Sequence, residues 1–218
     1  MKKIATLIII FYTVFAPKGF AQIVSDGSYL WNSTNITYSI NDKTELVLSN
    51  KDHYSNQIDR LEYFHFDLIA YHKISDKFSL GLGLRQTESY KSDRWNPGQT
   101  YMFYGVYLMN PGNVKIKFAN RITSKVYKTS DTQYGLDNIT NVDFFVRSTN
   151  KWPKPYLMDE FFSNLKLLKL QTFRLYGGFR LIKTDHLGID LFYCFWLANS
   201  ESSWKNFNVY GLNTKFRI

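Results

Sequence analysis

A period of two runs through this chain. Extended from Phe78 to Arg85, it puts Phe78, Leu80, Leu82 and Leu84 on one face and Ser79, Gly81, Gly83 and Arg85 on the other. The same division separates Val114, Ile116, Phe118 and Ile122 from Lys115, Lys117, Ala119 and Arg121. It also separates Phe173, Leu175, Phe179 and Leu181 from Arg174, Tyr176, Gly178 and Arg180. Leu187, Ile189, Leu191, Tyr193, Phe195 and Leu197 oppose Asp190 and Cys194. Each such strand must cover its apolar face, against a second sheet or against lipid. Several segments run about 11–13 residues and few carry small or polar residues on both faces, which favours lipid over a sandwich. Past the first residues no apolar stretch is long enough for a spanning helix, so a membrane can be entered only as a closed sheet.

The head of the chain points to export. Lys2 and Lys3 precede a mostly apolar run, Ile4 to Ala16, and Gly19-Phe20-Ala21 places small residues at −3 and −1 of a cut before Gln22. That run is shorter than the roughly 20 residues a membrane anchor needs. Residues 1–21 are therefore expected to be a cleaved signal peptide and 22–218 the mature domain. With Lys2, Lys3 and Lys18 gone, the 27 Lys and Arg fall to 24 against 18 Asp and Glu, a net charge of +6. The bases are scattered and the chain is exported, so nucleic acid is not an expected partner. One Cys excludes an intramolecular disulfide.

Eleven candidate strands are read at 30–40, 44–52, 60–72, 78–90, 100–109, 114–127, 140–149, 155–163, 171–182, 187–198 and 206–218. Tight-turn signals at 41–43, 75–77, 110–113 and 183–186 alternate with longer polar connections at 53–59, 91–99, 128–139 and 199–205, the asymmetry of an outer-membrane barrel with periplasmic turns. The final strand puts Tyr210, Leu212, Phe216 and Ile218 on one face, with Gly211, Asn213, Lys215 and Arg217 inward. The expectation is an all-β, closed antiparallel transmembrane barrel of 10–12 strands in the bacterial outer membrane. Because single-chain bacterial barrels have even strand numbers with both ends periplasmic, twelve is slightly favoured, with 22–29 supplying the extra strand. Trp31, Tyr90, Trp95, Tyr101, Trp152, Tyr156 and Trp204 are assigned to interfacial girdles.

LWNSTNITYSINDKTELVLSNKD, YHKISDKFSLGLGLR, KPYLMDEFF and RLYGGFRLIKTDHLGIDLFYCFW resemble successive hairpins of an uncharacterised bacterial outer-membrane family, the domain of unknown function numbered 2490. The resemblance spans essentially 29–218 and implies location and architecture, with no reaction to carry over. In KPYLMDEFF it favours Glu160 over Asp159 as the inward carboxylate.

The expected lumen is a charge network of Asp67, Arg85, Lys115, Lys117, Arg121, Asp143, Arg147, Glu160, Arg174, Arg180 and Asp190, crowded enough to plug a small barrel. If a pore opens, the basic excess predicts anion preference. His65 and Asp67, two apart on one inward face, are the single pair with catalytic geometry in view: a His oriented by a carboxylate could serve a Ser in a lipid acyl hydrolase or transferase. No matching Ser is identified, so the preferred role is non-enzymatic: structural, transport-related or partner-binding. Cys194 reads as a small core filler. His53, His65, His72 and His186 have no ligand spacing and Gly81-Leu82-Gly83 sits inside a strand, so neither metal nor cofactor is expected. Expected partners are outer-membrane lipid and, further, a small anionic solute or another envelope protein.

Overall fold

A computed structural model describes residues 26–55, 60–127, 131–144, 153–200 and 203–218. It is a closed barrel of eleven strands: β1 (Ser28–Ser39), β2 (Thr44–Ser55), β3 (Arg60–Lys73), β4 (Phe78–Lys91), β5 (Arg94–Met109), β6 (Val114–Tyr127), β7 (Gln133–Phe144), β8 (Lys154–Asn164), β9 (Lys169–Lys183), β10 (Leu187–Ser200) and β11 (Ser203–Arg217). Each strand pairs antiparallel with the next, and β1 closes on β11 in parallel, with Trp31 opposite Gly211 and Thr34 opposite Thr214.

Eleven strands correct the preference for twelve, and the closing pair corrects a purely antiparallel sheet. Residues 28 and 29, assigned to an additional strand, are the start of β1, whose Tyr29 pairs with Ser55. The cause is parity: in an up-and-down barrel with an odd count the first and last strands run the same way. Asp26 therefore lies at one rim, where its backbone N–H donates to Asn206, and Ile218 at the other, where its carbonyl accepts from Ser39. Residues 1–21, expected to be a signal peptide, lie outside the described residues.

The expected asymmetry of connections is also corrected. Strands grow into the segments read as long loops: β5 begins at Arg94, β7 at Gln133 and β11 at Ser203. Between β4 and β5 only Ser92 and Asp93 remain, with φ of 52° and 59°, the left-handed pair that a two-residue hairpin turn requires. Pro97 is accommodated because β6 begins to pair only at Gly98, so the missing N–H falls beyond that ladder.

Alternation fixes the faces. Leu82, Leu68 and Tyr210 stand outward, each more than half exposed, while Trp31, Cys194 and Val209 are fully buried inside. Two apolar clusters lie in the lumen wall, one on Trp31, Tyr156, Tyr176, Phe192, Cys194 and Val209, the other on Ile69, Met102, Tyr104, Val106 and Ala119. Large rings fit because glycines face them across the ladder. A Cβ on Gly81 would stand 2.7 Å from the Tyr71 ring, and one on Gly211 would stand 2.1 Å from Phe192. These glycines make room for bulky lumen partners. Trp31 and Tyr156 are corrected from girdle to core, since both point inward and are buried. Trp95, Tyr101 and Trp204 do stand outward, and Trp152 lies outside the described residues.

Candidate functional site in the barrel lumen

Inward charge is organised around four arginines. Arg85 on β4 reaches across its register partner on β3, donating from Nε and Nη2 to the two oxygens of Asp67, both at 2.7 Å. Arg121 on β6 donates from Nε to Asp137 at 2.8 Å, with Nη2 at 2.8 Å from the same oxygen, and from Nη1 to the Tyr104 hydroxyl at 3.2 Å. Arg174 on β9 bonds Glu160 at 3.2 Å, and Tyr176 donates to the same carboxylate oxygen at 2.8 Å. Arg180 joins Asp143 at 2.8 Å through Nε and Asp190 at 2.7 Å through Nη1, and Lys215 also bonds Asp190. Fork geometry lets one guanidinium hold a carboxylate at two points, which a buried charge needs.

Of the residues expected in the network, Asp67, Arg85, Arg121, Asp143, Glu160, Arg174, Arg180 and Asp190 are ion-paired, in four separate groups. Lys115 and Lys117 line the lumen, but neither has a carboxylate within 4.0 Å among the described residues. Lys117 instead sits 5.9 Å from the Tyr71 ring. Arg147 lies outside the described residues. Asp137, the partner of Arg121, escaped the sequence reading because QYGLDN carries turn formers. Only the alternation of Tyr134 and Leu136 against Gly135 and Asp137 signalled a strand there. Asp159 points outward beside Thr140, while Glu160 points in.

The catalytic pair does not assemble. Nε2 of His65 lies 3.7 Å from Asp67, beyond hydrogen-bonding distance, and both Asp67 oxygens already accept from Arg85. The other ring nitrogen of His65 faces the Tyr63 hydroxyl at 3.0 Å. Cys194 is fully buried in the wall. Among the described residues no three His, Cys, Asp or Glu side chains come together as a metal site.

Two chambers share this lumen. One, of about 670 Å³, extends towards the rim of Asp26 and is lined by Tyr29, Lys51, Glu62, Tyr90, Lys125 and Trp196 among others. The second, of about 780 Å³, extends towards the rim of Ile218 and reaches Thr184, His186 and Arg217. Asp67, Arg121, Met158 and Lys215 border both, so the ion-paired layer forms a waist between them. Above the waist runs an aromatic ladder: Trp196 to Trp31 at 5.6 Å, Trp31 stacked on His53 at 4.1 Å, and His53 to Tyr63 at 4.6 Å. Lys51 lies 4.0 Å over Trp31, and the Arg174 guanidinium lies 4.8 Å from Trp31 and 5.1 Å from Trp196. Lys51 and Lys125 have no carboxylate within 4.0 Å among the described residues, in a chamber whose three arginines, Arg85, Arg121 and Arg174, are already paired with Asp67, Asp137 and Glu160.

Fold and lumen together define the class: an all-β closed barrel with internally paired charges and a largely apolar outer wall. The family model for a protein of unknown function, DUF2490, matches residues 29–207, and the chain belongs to that family. No curated protein matches it.

Proposed function

We propose that the chain is a non-enzymatic barrel of the bacterial outer membrane that takes a small organic anion into the chamber on the Asp26 side of a plugged waist. The outer wall supports the membrane part. Strands of 11 to 16 residues, at about 3.3 Å per residue and a tilt of about 40°, rise roughly 28–40 Å, enough for an apolar band about 25 Å tall. Leucines, tyrosines and phenylalanines facing outward on every side would be a severe aggregation hazard in water.

The observation that carries the ligand part is two unmatched lysines in this chamber, Lys51, 4.0 Å over the Trp31 ring, and Lys125. An anion with an apolar body satisfies both, its charge meeting the ammonium groups and its body meeting Trp196 and Tyr29. The waist, closed by arginine–carboxylate pairs, makes this a binding chamber instead of an open channel.

Cell fractionation tests the location: mature chain in the supernatant after membranes are pelleted refutes it. Calorimetric titration of the purified barrel in zwitterionic detergent tests the ligand class, with benzoate as probe and benzyl alcohol as its neutral counterpart. Benzoate is expected to bind at least tenfold tighter, and Lys51→Met to abolish the difference. Equal affinities refute the anion chamber.

A further inference from the structure

Lys115 and Lys117 are two like charges set side by side. They stand two residues apart on the inward face of β6, yet neither has a carboxylate within 4.0 Å among the described residues. Lys117 is exposed although it points inward, so the surface it exposes belongs to the lumen. By contrast Lys215 and Arg217, spaced the same way on β11, are each paired, the first with Asp190 and the second with Glu45 at 3.6 Å.

The register shows why the β6 pair is left unmatched. Lys115 stands opposite Asp143 on β7, and Lys117 opposite Asn141. Arg180, from β9, takes the acceptors of both β7 side chains. It donates to Asp143 through Nε at 2.8 Å and again through Nη2, and through Nη2 to the Asn141 oxygen at 3.5 Å. The carboxylate opposite Lys115 is thus engaged elsewhere. Asn141, its oxygen fixed by the guanidinium, keeps its amide N–H groups without an acceptor among the described residues. Lys115 and Asn141 line the chamber on the Ile218 side, and Lys117 extends from it to the waist.

We propose that this corner of the Ile218-side chamber binds a phosphate group. Two ammonium groups and a carboxamide nitrogen, on adjacent strands, offer donors only. A tetrahedral oxyanion with nearly two charges has acceptors for all three. Seated between the lysines, it replaces their mutual repulsion with two attractions. A monocarboxylate of the kind proposed for the other chamber carries one charge and leaves the second ammonium unmatched. The acids of the chamber wall do not oppose the anion: Asp143 and Asp190 are held by Arg180, and Glu45 by Arg217. At about 780 Å³ the chamber also has room for a small polyol behind the phosphate, and Asn35 and Thr37 on β1, across the lumen, line the same space. Free phosphate and a polyol phosphate therefore share the one recognition chemistry.

The test is calorimetric titration of the folded barrel in a maltoside detergent, at fixed ionic strength in chloride, with inorganic phosphate and glycerol phosphate as probes. Binding is expected, and tighter binding of glycerol phosphate assigns the ester, whereas equal or tighter binding of inorganic phosphate assigns the free ion. Lys117→Met should weaken the bound probe at least tenfold, and Lys117→Arg, which keeps the charge, should retain most of the affinity. Lys51→Met, in the other chamber, should leave it unchanged. Heat-modifiable mobility on a gel verifies that each variant is folded. The phosphate site is refuted if neither probe binds, if binding survives Lys115→Met combined with Lys117→Met, or if it is lost with Lys51→Met. None of these results alters the comparison of benzoate with benzyl alcohol, so the two chambers fail or stand separately.

Discussion

Asp137 offers the sharpest test of whether the lumen behaves as a protein interior. Its side chain and that of Arg121 are 2 % and 8 % exposed, and two nitrogens of the guanidinium lie at 2.8 Å from one of its oxygens. Asp137→Leu leaves Arg121 buried with only the Tyr104 hydroxyl at 3.2 Å and the Met102 sulfur at 3.8 Å. Stripping one partner from a buried pair costs about 3–5 kcal/mol, and because the hydroxyl persists the expected loss is about 3 kcal/mol. The double variant, Asp137→Leu with Arg121→Met, removes both charges, and buried pairs replaced by apolar groups are commonly neutral or more stable, so it should recover to within about 1 kcal/mol of the parent. The assay is urea unfolding of the barrel in phospholipid vesicles, followed by tryptophan fluorescence and read as a double-mutant cycle. A single-variant loss under about 1 kcal/mol with a coupling near zero would refute the reasoning, because the pair would then behave like a solvated surface bridge. Lys73 with Asp76 in the β3–β4 hairpin is that solvated reference, and Asp76→Ala should leave the midpoint unchanged.

The waist predicts conductance. Purified chain in planar bilayers should show no steady large conductance, and Asp67→Ala with Arg85→Ala should open an anion-preferring path past the remaining lysines; a parent that conducts freely refutes the plug. Gly211→Ala should destabilise the barrel by about 1–3 kcal/mol through overpacking, since its Cβ would fall 2.1 Å from Phe192 on the neighbouring β10. An unchanged urea midpoint would show that this ring has room to move.

How much of this was legible in the sequence follows from which forces are local. Side-chain alternation is local, so the inward sets around Arg85, Arg121, Arg174 and Asp190 and the outward leucines could be read directly. The ends of strands are decided by neighbours. QYGLDN reads as a turn until Asp137 is seen against Arg121 across the ladder, and Arg94 to Gln99, with Pro97 and Gly98, reads as a loop until β4 pairs along its whole length. Trp31 and Tyr156 were misplaced for the same reason. An aromatic near a strand end suits an interface, and only Gly211 and Gly178, remote in sequence and adjacent in space, create the inward room. The His65 and Asp67 pairing failed because period two puts both on one face but cannot show that Arg85, eighteen residues on, claims the carboxylate first.

Parity decides how the two ends of the chain meet. The sequence offers eleven alternating segments, and a twelfth strand was inferred only to bring both chain ends to one side. The closed sheet instead accepts the odd number by making β1 and β11 parallel, with ten residue pairs in register from Ser28 with Asn208 to Thr37 with Arg217. That seam places Trp31 over Gly211, and the room left by Gly211 is also what admits Phe192. The aromatic cluster beside Lys51 and Arg174 is thus assembled by the closure itself: Trp31 comes from the first strand, Val209 from the last, and Cys194 and Phe192 from the strand before it. Had a twelfth strand intervened between β1 and β11, Trp31 would have lost Gly211 as its neighbour. The cation-and-ring wall of the chamber would then have no seam on which to form.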